Sequence, residues 1–188
     1  TLEIGSVVSS NVRRVPTGNQ ADAAIRLRPS LRIESDWVRH SLTGSASFEA
    51  EQFVENKDIK TLAGGIQSAL RLDIRHTTRA DLDASYSATS TELGSSQLPA
   101  TATGARLDHV IATNAAVTHD FGGLEGRLRL GVSRNTFGDV DLTGGGTEDN
   151  SDRNYTQLTF AARAALRTDT ILQPFAELAY EPRLHDKS

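Results

Sequence analysis

Apolar and polar residues alternate along most of this chain with a period of two. The segment 23–34 is the clearest case. Its odd positions are Ala23, Ile25, Leu27, Pro29, Leu31 and Ile33, and its even positions are Ala24, Arg26, Arg28, Ser30, Arg32 and Glu34. Extended backbone sends successive side chains to opposite faces, so this pattern gives one apolar face and one charged face. A helix would mix the two sets. The chain is therefore constrained to β-strands that are amphipathic across the sheet.

Read in this way, the sequence predicts nine strands, near 2–13, 22–34, 37–52, 61–75, 79–91, 106–118, 124–135, 155–167 and 171–183. Their apolar faces include Val8 and Val12 in the first, Val38 and Leu42 in the third, and Leu62, Ile66 and Leu70 in the fourth. Leu128 and Leu130 serve the seventh strand, Leu172 and Leu178 the ninth. The predicted connections alternate in length. Short ones lie at Ser35-Asp36, at 75–78, at 120–123 and at Thr168-Asp169-Thr170; longer ones run over 15–21, 53–60, 92–105 and 138–154. In an up-and-down antiparallel sheet all short turns then fall on one side and all long loops on the other, the layout of an outer-membrane barrel.

Composition narrows the function classes. The 188 residues are expected to form a single β-barrel domain over 1–188. A net charge of −4 supplies no basic field, so no nucleic-acid partner is expected. Cysteine is absent, which removes disulfides, thiolate metal sites and cysteine catalysis. Methionine is absent even at position 1, so the chain is expected to begin downstream of its translational start. There is no run of 18 apolar residues and hence no transmembrane helix. Barrel strands carry a much weaker signal and remain open.

Alternation alone does not say whether the apolar face meets lipid or a protein core. Several predicted strands alternate for 12 or more residues, beyond the roughly 9–11 needed to cross a bilayer at a tilt. Arginine outnumbers lysine 17 to 3. An enclosed polar lumen favours arginine, whose planar fork pairs with carboxylates. The polar faces carry both signs: Arg71 and Asp73 on the fourth strand face Arg79, Asp81 and Asp83 on the fifth across a tight turn, where they are expected to form a ladder. These features favour a transmembrane barrel in the bacterial outer membrane, with the lipid bilayer as its main partner. The alternative is a soluble lipocalin-like β-barrel that binds an apolar ligand inside.

Several segments also resemble a known family. The opening SSNVRRVPTGNQAD, the stretches SLRIESDWVRHSL and LDIRHTTRADLDASYS, the loop GGGTEDNSDRNY and the closing PFAELAYEPR resemble a family of bacterial outer-membrane β-barrels. Its members are often associated with surface or exopolysaccharide gene clusters. The resemblance spans essentially the whole chain, is to the N-terminal part of a longer barrel, and carries no catalytic residues. It implies an all-β, antiparallel up-and-down barrel that is not an enzyme. It also implies a link to polysaccharide; a small anionic solute and other envelope proteins are further expected partners.

Nine strands conflict with the even strand number of single-chain bacterial barrels. The expectation is a partial barrel; a miscounted strand is the alternative. The main candidate site is the charged face itself. Its arginines are Arg26, Arg28, Arg32, Arg39, Arg71, Arg127, Arg129 and Arg163, and its acids Asp73, Asp81, Asp83, Asp108, Glu125 and Glu177. They could line a pore for anionic solutes or an acidic polysaccharide, or simply scaffold the interior as ion pairs. The acidic loop 138–154 fits no calcium-loop pattern, and its Gly144-Gly145-Gly146 run predicts flexibility. The five histidines lack metal-ligand spacing, His109 and His119 falling on the apolar parity near opposite strand ends. No catalytic residue, metal or cofactor is expected.

Overall fold

The computed structural model describes residues 1–12, 20–57, 59–168 and 171–186. It is all-β apart from one three-residue 3₁₀ turn, Ser151–Arg153. The main sheet contains β1 (Leu2–Ser9), β2 (Asp22–Glu34), β3 (His40–Phe53), β4 (Lys60–Arg75), β5 (Thr78–Thr91), β6 (Arg106–Asp120) and β7 (Leu124–Phe137). A two-stranded hairpin follows, β8 (Val140–Asp141) with β9 (Thr147–Glu148). The main sheet resumes with β10 (Tyr155–Leu166), β11 (Phe175–Tyr180) and β12 (Arg183–His185).

Every pairing in the main sheet is antiparallel; from β1 to β7 each strand lies beside its sequence neighbour, and β7 then pairs with β10. β11 and β12 both pair with β10, in one uninterrupted register: Phe160 faces Tyr180 and Tyr155 faces His185. The break at Pro182 removes no more than a local bond, since the Pro182 carbonyl still accepts from the Leu158 amide at 3.0 Å. The ten strands therefore occupy nine positions across the sheet, as the alternation predicts. β1 and the β11–β12 line form its two edges, and among the described residues neither is paired on its outer side. The sheet is open, consistent with part of a barrel.

The registers align the parity of every strand. Leu27 faces Ala50, Phe48 faces Gly64, Ile66 faces Tyr86, Leu82 faces Ala115, Leu130 faces Phe160, and Ala162 faces Leu178. One apolar set thus runs across the whole sheet, and the charged set runs across the other side. A slip of one residue at any strand would exchange its faces, so the pattern itself fixes the register.

Strand ends depart from expectation. β1 stops at Ser9, and Val12 turns away to pack with Ala24 and Phe53, both on the charged face near the loops. Val12, Ala24 and Phe53 are the core of this small inner cluster, with Val7 and Ile59 against it. Val38 precedes β3 and Leu172 precedes β11, so neither belongs to a strand's apolar face. The turn after β10 spans eight residues rather than three; Asp169 and Thr170 lie outside the described residues, as do 13–19 of the first long loop and Lys187 of the tail. The turn at 120–123 is tight because Gly122 and Gly123 adopt φ of +86° and +140°, and the Asp120 carboxylate accepts the Gly122 amide at 2.8 Å.

The loop 138–154 is folded rather than loose. Gly144, Gly145 and Gly146 all take positive φ, and they close the β8–β9 hairpin instead of loosening it. The hairpin docks on the loop 92–105: the Thr103 amide donates to the Asp141 carbonyl at 2.9 Å, and the Thr143 amide to the Thr101 carbonyl at 2.8 Å. Asn150, only 2% exposed, donates to the Gly138 carbonyl, and the Asn154 side chain accepts from the Phe137 amide.

Candidate functional site

The charged face is concave. Arg32 of β2, Ser45 of β3, Gln67 of β4, Asp83 of β5 and Asn114 of β6 together line one open concavity of about 440 Å³. The two faces differ in cover: on β6 the charged-face residues Ala116 and Thr118 are 6% and 4% exposed, whereas Val117 between them, on the other face, is 49% exposed, so the sheet curls toward its charged side. The opposite, convex face carries the aliphatic residues and leaves them exposed: Ile66 by 61%, Leu128 by 64% and Leu178 by 81%. Soluble monomers rarely expose apolar patches beyond a few hundred Å². A lipocalin-like barrel would place this set inside, whereas here it is exposed. With the apolar face outward, β2 to β7 and β10, of 12–16 residues each, are long enough to span a bilayer.

The sequence profile of the family described as putative beta-barrel porin 2 matches residues 1–188. The chain belongs to this family. No curated protein and no solved structure matches it. Family membership agrees with the all-β, up-and-down architecture and points to a non-enzymatic, membrane-embedded barrel.

Within this porin-type sheet the charged face divides into distinct regions. On β2 and β3 the pairs are close. Arg26 donates to Glu51 through Nε at 2.8 Å and through Nη2 at 2.5 Å, and its Nε lies 3.3 Å from Glu49. Arg28 donates to Glu49 through Nη2 at 3.1 Å, with Glu3 of β1 at 3.7 Å. Glu49 and Glu51 escaped the sequence reading, although both sit on the polar parity of β3 directly opposite the arginines. Arg32 stands apart toward the short-turn side, 3.7 Å from Glu34, with both side chains exposed. Arg39 precedes β3 and, among the described residues, donates to the Asp73 carbonyl alone, at 3.4 Å.

On β4 and β5 the register places Arg71 opposite Asp81 and Asp73 opposite Arg79. The closest ion pairs nevertheless run along each strand, Arg71 Nε to Asp73 at 3.1 Å and Arg79 Nε to Asp81 at 3.6 Å. The expected ladder is thus built from i, i+2 contacts on one face. Asp83 lies in the central concavity with no cation within ion-pair distance among the described residues. Glu125, at the short-turn end of β7, also has no ion pair among the described residues.

A third region lies on β7, β10 and β11. Arg129 Nη2 is 3.5 Å from Glu177, Arg163 Nη1 is 3.9 Å from the same carboxylate, and Arg127 Nη2 is 3.9 Å from Asp81. Arg163 also stands over the Phe175 ring at 4.0 Å.

Asp108 serves a buried anchor at the long-loop end. It accepts from Arg106 at 2.7 and 2.9 Å and from the Thr91 hydroxyl at 2.9 Å. Arg106 is 1% exposed, donates to the Gln97 carbonyl, and stacks on Phe137, whose ring also meets Arg153. Sequence reading missed Arg106, because its burial depends on the loop 92–105 folding over it. It also missed Arg134, which has apolar-face parity; it pairs with Asp186 and the Thr156 hydroxyl near the long-loop rim, where headgroups rather than chains would surround it.

The histidines make ordinary rim contacts. His109 Nδ1 is 2.9 Å from the Tyr86 hydroxyl, and His119 Nδ1 is 2.7 Å from the Thr78 hydroxyl with its ring edge-on to Phe121. Among the described residues no group of three His, Asp or Glu side chains is placed to hold a metal ion.

Proposed function

We propose that the chain is a non-enzymatic component of the bacterial outer membrane that forms a porin-type wall along which polar solutes pass. The observation that carries this reading is the exposure: an aliphatic face left open and suited to lipid, and a more covered face bearing arginines and carboxylates. A charge on the lipid side at mid-bilayer would cost about 2–4 kcal/mol, which accounts for the confinement of charge to the concave side. In this orientation the long loops and the β8–β9 hairpin face outward from the cell, and the short turns face the periplasm. Arg26, Arg28, Arg32, Arg71, Arg127, Arg129 and Arg163, with Asp73, Asp81, Asp83 and Glu177, line the passage, Asp108 anchors its long-loop end, and Arg39 sits at its short-turn rim. The solutes are small anions or acidic polysaccharide chains, handled together with other envelope proteins.

The test is refolding of the full chain with and without lipid. Insertion into vesicles, with flux of a small polar solute, is the expected result. A monodisperse, detergent-free monomer would overturn the reading.

A further inference from the structure

We infer that Arg127, Arg129 and Arg163 form a seat for an oxyanion, the carboxylate or phosphate group of a solute on the concave face. The inference rests on the reading of that face as a solute path. Register places Arg163 directly opposite Arg127, and Arg129 one step along the same face. Like charges facing each other across a strand pair are destabilising, so this arrangement calls for anions between them. The chain supplies few. Arg129 and Arg163 share Glu177, and the carboxylate nearest Arg127, Asp81, also lies 3.6 Å from Arg79.

These contacts are also loose. At 3.5–3.9 Å they exceed ordinary charge-assisted hydrogen-bond lengths. Among the described residues none of the three guanidinium groups donates a hydrogen bond to the protein; the Nε atoms of Arg127 and Arg129 are buried without a hydrogen-bond partner, as are those of Arg28 and Arg79, but Arg28 still donates through Nη2 to Glu49. Arg26, by contrast, donates twice to Glu51.

The room for a ligand comes from Ala161. It faces Arg129 across the strand pair and, with the three arginines and Glu177, lines a concavity of about 120 Å³. Phe175 holds Arg163 from one side by a cation–π contact. A guanidinium fork matches a carboxylate or phosphate bidentately, whereas a neutral sugar offers it no charge. The seat therefore distinguishes solutes by their acidic groups.

The experiment is a titration of the full chain refolded in detergent, followed by NMR of the arginine Nε–Hε groups. The probes are glucuronate, glycerol phosphate and neutral glucose. The resonances of Arg127, Arg129 and Arg163 should move with an acidic probe and not with glucose, while those of Arg26 and Arg28 stay in place. A response to glucuronate alone assigns carboxylates, one to glycerol phosphate alone assigns phosphates, and both support the seat. Arg129→Gln should weaken binding about tenfold, as expected for losing a charged hydrogen-bond donor. Glu177→Gln should strengthen it, a gain that misfolding would not produce. Equal shifts at all arginines, or unchanged affinity in Arg129→Gln, would overturn the seat. Vesicle flux separates the two readings: flux without anion binding removes the seat and keeps the passage, and binding without flux does the reverse.

Discussion

Arg26 and Arg28 on β2 and the arginines of β7 and β10 share a face, a residue type and a parity, yet they are paired differently. Glu49 and Glu51 stand in register opposite Arg28 and Arg26 and take up their hydrogen bonds. On the other wall Arg127 faces Arg163 and Arg129 faces Ala161 across β7 and β10, and Glu177 stands opposite Arg163 on β11 but lies 3.5 Å from Arg129 and 3.9 Å from Arg163. The contrast teaches that a carboxylate in register does not suffice: two carboxylates serve Arg26 and Arg28 closely, whereas Glu177, opposite Arg163, is divided between Arg163 and Arg129. Position on the face is not enough.

The largest effect should come from moving a guanidinium through the sheet. Arg129 and Leu130 are neighbours on β7, one on each face. Leu130→Arg places the charge in lipid and should cost about 2–4 kcal/mol, read by urea unfolding of the vesicle-inserted chain. Wild-type stability in that variant would break the assignment of faces on which the comparison stands.

Next comes Glu49→Gln, which takes the carboxylate from Arg28 and leaves Arg26 with Glu51 alone. A loss of about 1.5–3 kcal/mol is expected in the same assay, the range for hydrogen bonds to charged groups. The matching change on the other wall, Arg129→Gln, removes no hydrogen bond and should stay within about 0.5 kcal/mol of wild type. If the two substitutions cost the same, the distinction between saturated and unsaturated walls fails.

The smallest effect concerns the rims. Hydrogen bonds from the Asn56 side chain and from the amides of Asn56, Ala23 and Glu55 hold the Asp22 carboxyl below its ordinary range, against the opposing effect of desolvation. At the short-turn rim the Gly122 amide, and then Arg167, do the same for Asp120. A carboxyl depressed in the folded state stabilises fully above its unfolded pKa, about 3.9. That contribution is lost as pH falls through the lower folded value. Amide exchange at Glu55 and Asn56 should therefore quicken, relative to the intrinsic rate, only below the usual aspartate range. The change should vanish in Asp22→Asn. Equal pH dependence in both proteins would contradict it.

Much of this was legible in the sequence because a period of two is a direct imprint of sheet geometry. The parity of Arg26, Arg71, Arg127 and Leu130 follows from counting alone, and so do the nine strand positions. What counting does not reach is set by contacts between distant segments. Val12 leaves β1 because Ala24 and Phe53 offer it an apolar niche beyond the strand's end. Arg106 is buried by the Gln97 carbonyl and the loop around it. The difference between the two arginine walls was hidden for the same reason: it depends on how many carboxylates reach each group of arginines and how closely they approach. Arg134 shows that parity loses its authority near a strand's end, where Asp186 lies within reach.

The central claim is that successive residues of each strand face lipid and lumen in turn. The chain has no cysteine, so single substitutions give clean labelling sites. Nitroxide labels at Arg127→Cys, Leu128→Cys, Arg129→Cys and Leu130→Cys, measured in vesicles, test it directly on β7. Labels at 128 and 130 should collide preferentially with oxygen dissolved in lipid, and those at 127 and 129 with a water-soluble nickel complex. Equal accessibility at all four positions, or the reverse alternation, would contradict the account.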